Sequence, residues 1–123
     1  MEIWNSISEA QAALNQSQLS TAVTIGNFDG LHRGHQTIMR RTLELAREDQ
    51  GLAIAFTFSN HSEGIIGEQP FLINNPRRRR ELFEQQGLDA LLEVPFDKKF
   101  AQVSAEDFFY SWLLEGLRLK SLI

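Results

Sequence analysis

The stretch TAVTIGNFDGLHRGH, residues 21–35, decides the fold of this chain. Its first five residues are apolar or β-branched, which is typical of a short strand covered on both faces. Three glycines follow within nine residues, at positions 26, 30 and 34, and a helical pattern begins at Gly34. A strand that passes through a glycine-rich turn into a helix predicts the first half of a βαβ unit.

A second strand completes this unit. From 34 to 49 the apolar residues are spaced three and four apart, as on the inner face of a helix; they are Ile38, Met39, Leu43 and Ala46. After Gly51 comes Leu52–Phe58, another short apolar run rich in aromatic and branched residues. Because two strands joined by a helix in this way run in the same direction, the sequence predicts a parallel sheet.

The alternation of helix and strand continues to the end of the chain. Caps and apolar runs predict a helix over 75–86, a strand over 88–94, a helix over 104–116 and a fourth strand over 119–123, with a short helix over 8–15 before the first strand. The order predicts the α/β class, as a three-layer sandwich with a parallel sheet. The chain ends within the fourth strand, so we expect the sheet to be truncated there.

Length, charge and composition narrow the classes of function. A chain of 123 residues is long enough for one domain with its own core. The net charge of −4 argues against a general surface for nucleic acid or anionic membrane, and no apolar run approaches the roughly 20 residues of a spanning helix. The lack of cysteine excludes disulfides and cysteine-rich zinc sites. We therefore expect a cytoplasmic protein that holds any anionic ligand at a local site.

The glycine-rich turn is the candidate site. It lies between a strand and a helix, where open α/β sheets bind ligands and where helix N–H groups attract phosphate. His32 and His35 are three residues apart, so both imidazoles face one side of the first helical turn and can grip a triphosphate. The alternative is that the pair only caps the helix or binds nothing. Without a nearby cysteine or third histidine, a metal site is not expected.

The motif GNFDGLHRGH, residues 26–35, resembles the nucleotidyltransferase signature of prokaryotic FAD synthetases. These are usually the N-terminal half of a bifunctional riboflavin kinase/FAD synthetase, and similar family segments fall at 57–58, 93–97 and 100–108. The resemblance implies a Rossmann-like nucleotidyltransferase fold. It also implies transfer of AMP from ATP to FMN, which gives FAD and pyrophosphate, with Mg²⁺ accompanying ATP.

The resemblance also implies roles for single residues of the turn. His32 and His35 are then catalytic residues that contact the ATP phosphates. The nucleotide pocket is shaped by the rest of the motif, namely Gly26, Asn27, Phe28, Asp29, Gly30 and Gly34. For Asp29, two roles remain open: it positions ATP or a metal-bound water, or it stabilises the turn by Asx-type hydrogen bonds.

The chain departs from the family pattern in two places. After Thr57-Phe58 the family continues x-Pro-His-Pro, whereas residues 59–62 here are Ser-Asn-His-Ser, which leaves a more mobile substrate loop. Phe58, Asn60 and His61 are candidates for this loop, with His61 either a flavin contact or a solvated residue. The family's later flavin-binding segment and the riboflavin kinase domain are absent, so residues 1–123 are predicted to form a partial domain with weak or absent turnover.

Two further groups of residues have structural interpretations. The run Arg77–Arg80 covers all sides of a helix and is predicted to be a solvated helix start, with Glu81 and Glu84 pairing to Arg77 and Arg80. Five aromatic residues are predicted to be core rather than a platform for stacking bases; they are Phe96, Phe100, Phe108, Phe109 and Trp112.

Two rival functions stay open at this point. The first is a nucleotidyltransferase with another acceptor, such as a phosphopantetheine, a nicotinate or an alcohol phosphate. The second is a non-catalytic nucleotide-binding remnant, in which two copies of the chain pair through the unfinished sheet edge. For the favoured function, ATP and FMN are the partners, and neither nucleic acid nor membrane is expected.

Overall fold

A computed structural model describes residues 1–28, 33–59 and 76–123, with the side chains of Arg33 and Pro76 left out. Strands and helices alternate through these ranges. The strands are β1 (Glu2–Trp4), β2 (Thr21–Ile25), β3 (Leu52–Phe58), β4 (Ala90–Val94) and β5 (Leu119–Leu122). The helices are α1 (Ile7–Ser17), α2 (Arg33–Glu48), α3 (Pro76–Gln85), α4 (Lys98–Ala101) and α5 (Ala105–Asp107), which runs directly into a π-helix (Phe108–Gly116).

The five strands form one parallel sheet in the order β1-β4-β3-β2-β5. The chain moves from β2 to β3 to β4 in one direction and then crosses to place β5 on the other side of β2. The strand order therefore reverses between β2 and β5. In open parallel sheets, ligands bind beyond the carboxyl ends of the strands at such a reversal, and the glycine-rich turn leaves β2 at that end.

The predicted α/β class and parallel sheet are confirmed. The four predicted strands correspond to β2–β5, and the predicted helices differ from the observed ones by one or two residues at most ends. The number of strands was wrong, because β1 adds a fifth. Its three residues pair with β4, Ile3 opposite Leu91, and Trp4 is buried. Residue 75, where the predicted helix over 75–86 begins, lies outside the described residues.

The core lies on both faces of the sheet, as a three-layer sandwich requires. One face packs larger side chains against α1 and the π-helix, including Val23, Ile54, Phe56, Leu14 and Leu113. The other face carries small residues beneath α2 and α3, where the buried set includes Ala22, Ala55, Met39, Ala46 and Phe83. The alternation of large and small residues along β2 and β3 thus lets the helices of the second face approach the sheet closely.

Four of the five predicted core aromatics pack together, with Phe56 and Phe58, at ring-centroid distances of 5.2–6.2 Å. The prediction that Phe109 belongs to the core was wrong, because its side chain is 40% exposed and packs edge-on against Tyr110. The reason is the π-helix, in which the N–H of Leu117 bonds the carbonyl of Trp112 five residues earlier. This wider turn does not keep the α-helical spacing on which the prediction depended.

Within the described ranges, no helix has the length and apolar character needed to cross a membrane.

Candidate functional site

The turn after β2 is built around the ring of Phe28. Phe28 has a left-handed backbone with φ of 55°, and its side chain is only 4% exposed. This ring lies against Gly26, where an added Cβ would come within 3.1 Å of the ring atom Cζ. Gly26 is therefore required by the approach of Phe28, while its own N–H continues the sheet by bonding the carbonyl of Phe56 at 3.1 Å.

His35 is held against this turn. It lies in the first turn of α2, is half-buried, and meets the ring of Phe28 edge to face at a centroid distance of 5.3 Å. On its other side, Phe28 meets Phe83 of α3 at 5.4 Å in the same geometry. Phe28 therefore packs both against α3, through Phe83, and against the imidazole of His35, whose orientation it sets.

A buried charged network ties together the carboxyl ends of β2, β3 and β4. The carbonyl of Asn27 accepts hydrogen bonds from Thr57 Oγ1 at 3.3 Å and from Arg79 Nη1 at 3.4 Å. Arg79 Nη2 donates at 3.0 Å both to the carbonyl of Phe58 and to Glu93 Oε2. The second carboxylate oxygen of Glu93 accepts from Arg80 Nε at 2.5 Å. Charge-assisted bonds of this kind are stronger than neutral ones.

The arginine run therefore departs from the prediction. Arg77 does pair with Glu81, at 3.7 Å, and Arg78 pairs with the same carboxylate at 3.3 Å. Arg79, however, is 7% exposed rather than solvated, and Arg80 pairs with Glu93 instead of Glu84. The available signal was Glu93 itself, since an acidic residue inside an otherwise apolar strand requires a buried cation.

The structure brings together five of the predicted nucleotide-site residues at the carboxyl end of β2 and the start of α2. They are Gly26, Asn27, Phe28, Gly34 and His35. Phe58 lies at the end of β3 and packs on Phe96 and Phe100, each at 5.2 Å. The predictions for Asp29, Gly30, His32, Asn60 and His61 fall outside the described residues.

A cleft of about 430 Å³ opens at the carboxyl ends of β1 and β4. Its lining combines aromatic and polar side chains, among them Asn5, Ser6, Pro95, Lys99, Phe100 and Trp112. Phe100 also packs on Phe58, so this cleft adjoins the end of β3. Its volume is within the range of small-molecule sites.

The C-terminal end of α2 is fixed at the end of the sheet opposite the glycine-rich turn. Arg47, near the end of α2, forms a bidentate ion pair with Asp89, in which Nη1 lies 3.0 Å from Oδ2 and Nη2 lies 3.2 Å from Oδ1. The hydrogen bonds that Arg47 donates to Asp89, and the attraction of the negative charge of Asp89, raise the pKa of Arg47. Asp89 also accepts the N–H of Ala53 at 2.8 Å, so one carboxylate joins α2, β3 and the start of β4.

Among the described residues, no group of three or more His, Cys, Asp or Glu side chains is arranged to hold a metal ion.

A parallel sheet with a glycine-rich turn at its strand-order reversal defines a Rossmann-like nucleotidyltransferase fold. The family model for FAD synthetase matches residues 14–123. This chain belongs to the FAD synthetase family.

Similar proteins agree with this assignment. The bifunctional riboflavin kinase/FMN adenylyltransferase of Escherichia coli (strain K12) is 30% identical over 107 residues, which are 85% of this chain and 34% of that protein. The protein of the same name from Haemophilus influenzae is 33% identical, covering 82% of this chain and 33% of its own length. The FAD synthetase of Listeria monocytogenes is 30% identical over 83% of this chain and 42% of its own.

A solved structure is also similar. It is described as a macrolide-efflux protein from Streptococcus pneumoniae, with a TM-score of 0.70 and 30% identity. The match covers 88% of this chain and 38% of that one. The chain thus spans about a third of the length of the first curated relatives it matches, 34% for the Escherichia coli protein.

Proposed function

We propose that this chain is the partial nucleotidyltransferase domain of an enzyme that makes FAD from FMN and ATP. The observation that carries the proposal is the placement of His35 on Phe28, at the start of α2 and beside the strand-order reversal. Family membership and relatives named FMN adenylyltransferase support it. The reaction belongs to the biosynthesis of flavin cofactors, and the riboflavin kinase activity lies outside residues 1–123.

In the proposed reaction, an oxygen of the FMN phosphate attacks the α-phosphorus of ATP. The bond from that phosphorus to the bridging oxygen of the β-phosphate breaks, and pyrophosphate leaves. Because FMN supplies the nucleophile, the protein needs to align the phosphates and stabilise their charge. His35, together with His32, donates hydrogen bonds to phosphate oxygens, and the start of α2 adds its positive dipole end.

The turn shapes the nucleotide pocket. Gly34 allows the backbone to come close to the phosphates, Gly26 leaves room for the ring of Phe28, and Asn27 and Phe28 set the path of the chain as it leaves β2. In this proposal Asp29 and Gly30 complete the pocket. Mg²⁺ enters with ATP and is held mainly by phosphate oxygens and water.

The acceptor site is proposed for the cleft beside β4. Its aromatic wall of Phe100 and Trp112 suits the flat apolar ring system of a flavin, and Lys99 provides a positive charge. Phe58 adjoins this wall, and the loop residues Asn60 and His61 follow it in the chain. We place the reaction in the cytoplasm, with ATP and FMN as partners and with no role for nucleic acid.

The function is tested by incubating the chain with MgATP and FMN and measuring FAD and pyrophosphate. We expect MgATP and FMN to bind, with weak or absent turnover, since the family's later flavin segment lies outside these residues. Robust turnover by residues 1–123 would contradict the partial-domain proposal. Transfer of AMP to a phosphopantetheine, a nicotinate or an alcohol phosphate in place of FMN would contradict the choice of acceptor.

A second candidate is a non-catalytic nucleotide-binding module. This module would bind MgATP but not FMN, whereas the proposed domain binds both. Titration of FMN fluorescence in the presence of a non-hydrolysable ATP analogue separates the two. Size-exclusion chromatography during the same experiments shows whether the chain dimerises, as pairing through the edge of β5 would require.

A further inference from the structure

We propose that Arg79 and Glu93 are positioning residues, which hold the Asn27–Phe28 turn and through it His35. The effect on nucleotide binding rests on the proposed function, but the positioning of the turn does not. The pair lies behind the turn, on α3 and β4. It has no place in the family signature at residues 26–35.

The burial of the pair is the first observation. The side chain of Glu93 is 1% exposed and that of Arg79 is 8% exposed. Replacing such a pair by apolar residues is often neutral or stabilising, so a buried ion pair is weak evidence for a role in stability. What distinguishes this pair is the set of backbone groups to which Arg79 bonds.

Those groups belong to two different strand ends. Nη1 of Arg79 bonds the carbonyl of Asn27, after β2, and Nη2 bonds the carbonyl of Phe58, at the end of β3. A guanidinium is a rigid planar fork, so it fixes the separation of the two carbonyls. Glu93 anchors the fork from β4 through the 3.0 Å contact to Nη2.

The turn transmits this anchoring to the imidazole. Asn27 directly precedes Phe28, whose left-handed backbone and buried ring support His35 at 5.3 Å. A shift of the Asn27 carbonyl rotates the peptide that leads into Phe28 and therefore moves the ring on which His35 packs. The chain of contacts is continuous from Glu93 through Arg79, Asn27 and Phe28 to His35.

Two neighbouring arginines provide matched controls. Arg80 also donates to Glu93, but among the described residues it bonds neither to the carbonyl of Asn27 nor to that of Phe58. Arg80→Gln therefore removes one hydrogen bond to Glu93 and leaves both carbonyls bonded to Arg79. Arg77 is 90% exposed on the same helix, so Arg77→Gln removes one charge far from the network.

The experiment compares wild type, Arg79→Met/Glu93→Leu and Arg79→Lys with both controls. The double variant replaces the pair by apolar residues, and the lysine variant keeps the charge but has no fork to hold two carbonyls. Thermal unfolding gives the stability of each. Nuclear magnetic resonance reports the amide signals of Asn27, Phe28 and His35 and the ring protons of His35, and calorimetry measures the affinity for MgATP.

We expect both test variants to stay folded, with the turn signals and the ring signals of His35 displaced. MgATP affinity should fall by about tenfold to a hundredfold, as for a misplaced binding group. Arg77→Gln should keep wild-type spectra and affinity, and Arg80→Gln, which keeps both bonds from Arg79 to the carbonyls, should displace the turn signals less than Arg79→Lys does. Unchanged turn signals in a folded Arg79→Lys protein would overturn the proposal, whether or not the double variant folds. If wild type fails to bind MgATP, the proposed function fails, and the displacement of the turn signals still tests the positioning role.

Discussion

The ring of Phe28 meets the ring of His35 edge to face, with centroids 5.3 Å apart and ring planes at 78°. A buried residue of the turn thus sets the orientation of the side chain proposed to grip phosphate.

Removal of the Phe28 ring should damage both packing and binding. Phe28 is 4% exposed and touches His35, Phe83 and the space above Gly26. Phe28→Ala should therefore lower the free energy of unfolding by about 3–5 kcal/mol, as measured by urea denaturation. Phe109→Ala is the control, because that ring is 40% exposed, and it should change stability by about 0.5 kcal/mol or less. Equal effects of the two substitutions would contradict the packing described.

Gly26 should not tolerate a side chain while Phe28 is present. An added Cβ would lie 3.1 Å from Cζ of Phe28, closer than side chains normally pack. Gly26→Ala should destabilise the protein by about 1–3 kcal/mol. In Gly26→Ala/Phe28→Leu, the alanine should cost less than it does in the wild-type background, because the opposing ring is gone. Additive effects in this double-mutant cycle would show that the contact is not the cause.

The bond network of Asp89 should stabilise the end of the sheet opposite the site. Its carboxylate accepts two bonds from Arg47 and one from the N–H of Ala53. Asp89→Ala leaves that amide without its acceptor and should lower the free energy of unfolding by about 1.5–3 kcal/mol. Glu44→Ala removes the exposed pair with Arg41 and should change stability by less than about 1 kcal/mol. Similar losses from both substitutions would argue against a special role for Asp89.

The Arg47 pair has a defined pH dependence. The pKa of Arg47 is raised in the folded chain, so the folded state holds this proton more tightly than the unfolded state. Its contribution is therefore fully present below the ordinary arginine pKa and is lost only as pH rises through the higher folded value. The difference in unfolding free energy between wild type and Arg47→Gln should be the same at neutral and moderately alkaline pH. A difference that declines over that interval would contradict this assignment.

Much of the fold was predictable because most of its strands and helices are long enough to show a regular pattern of apolar residues. The strands at 21–25 and 52–58 are continuous apolar runs, and α2 has regular spacing, so their type and order follow from the sequence. β1 was missed because three residues, Glu2–Trp4, are too few to show a period. Phe109 was misplaced because α-helical spacing does not hold in a π-helix.

The site was predictable in part for a similar reason. The motif at 26–35 pointed to Gly26, Phe28 and His35, which the structure brings together. The role of Arg79 was not predictable from its own neighbourhood, since four consecutive arginines are locally equivalent. Which one turns inward depends on where α3 lies relative to Glu93, and that is a long-range property of the fold.

The most direct test of the central claim is calorimetric titration of MgATP into wild type and His35→Phe. The phenylalanine keeps a ring packed on Phe28 and removes both ring nitrogens, and Arg40→Gln, on the exposed side of α2, serves as the control. We predict that wild type and Arg40→Gln bind MgATP equally, and that His35→Phe binds at least about tenfold more weakly with little loss of thermal stability. Equal affinity of His35→Phe and wild type would contradict the claim that this turn grips the phosphates of ATP.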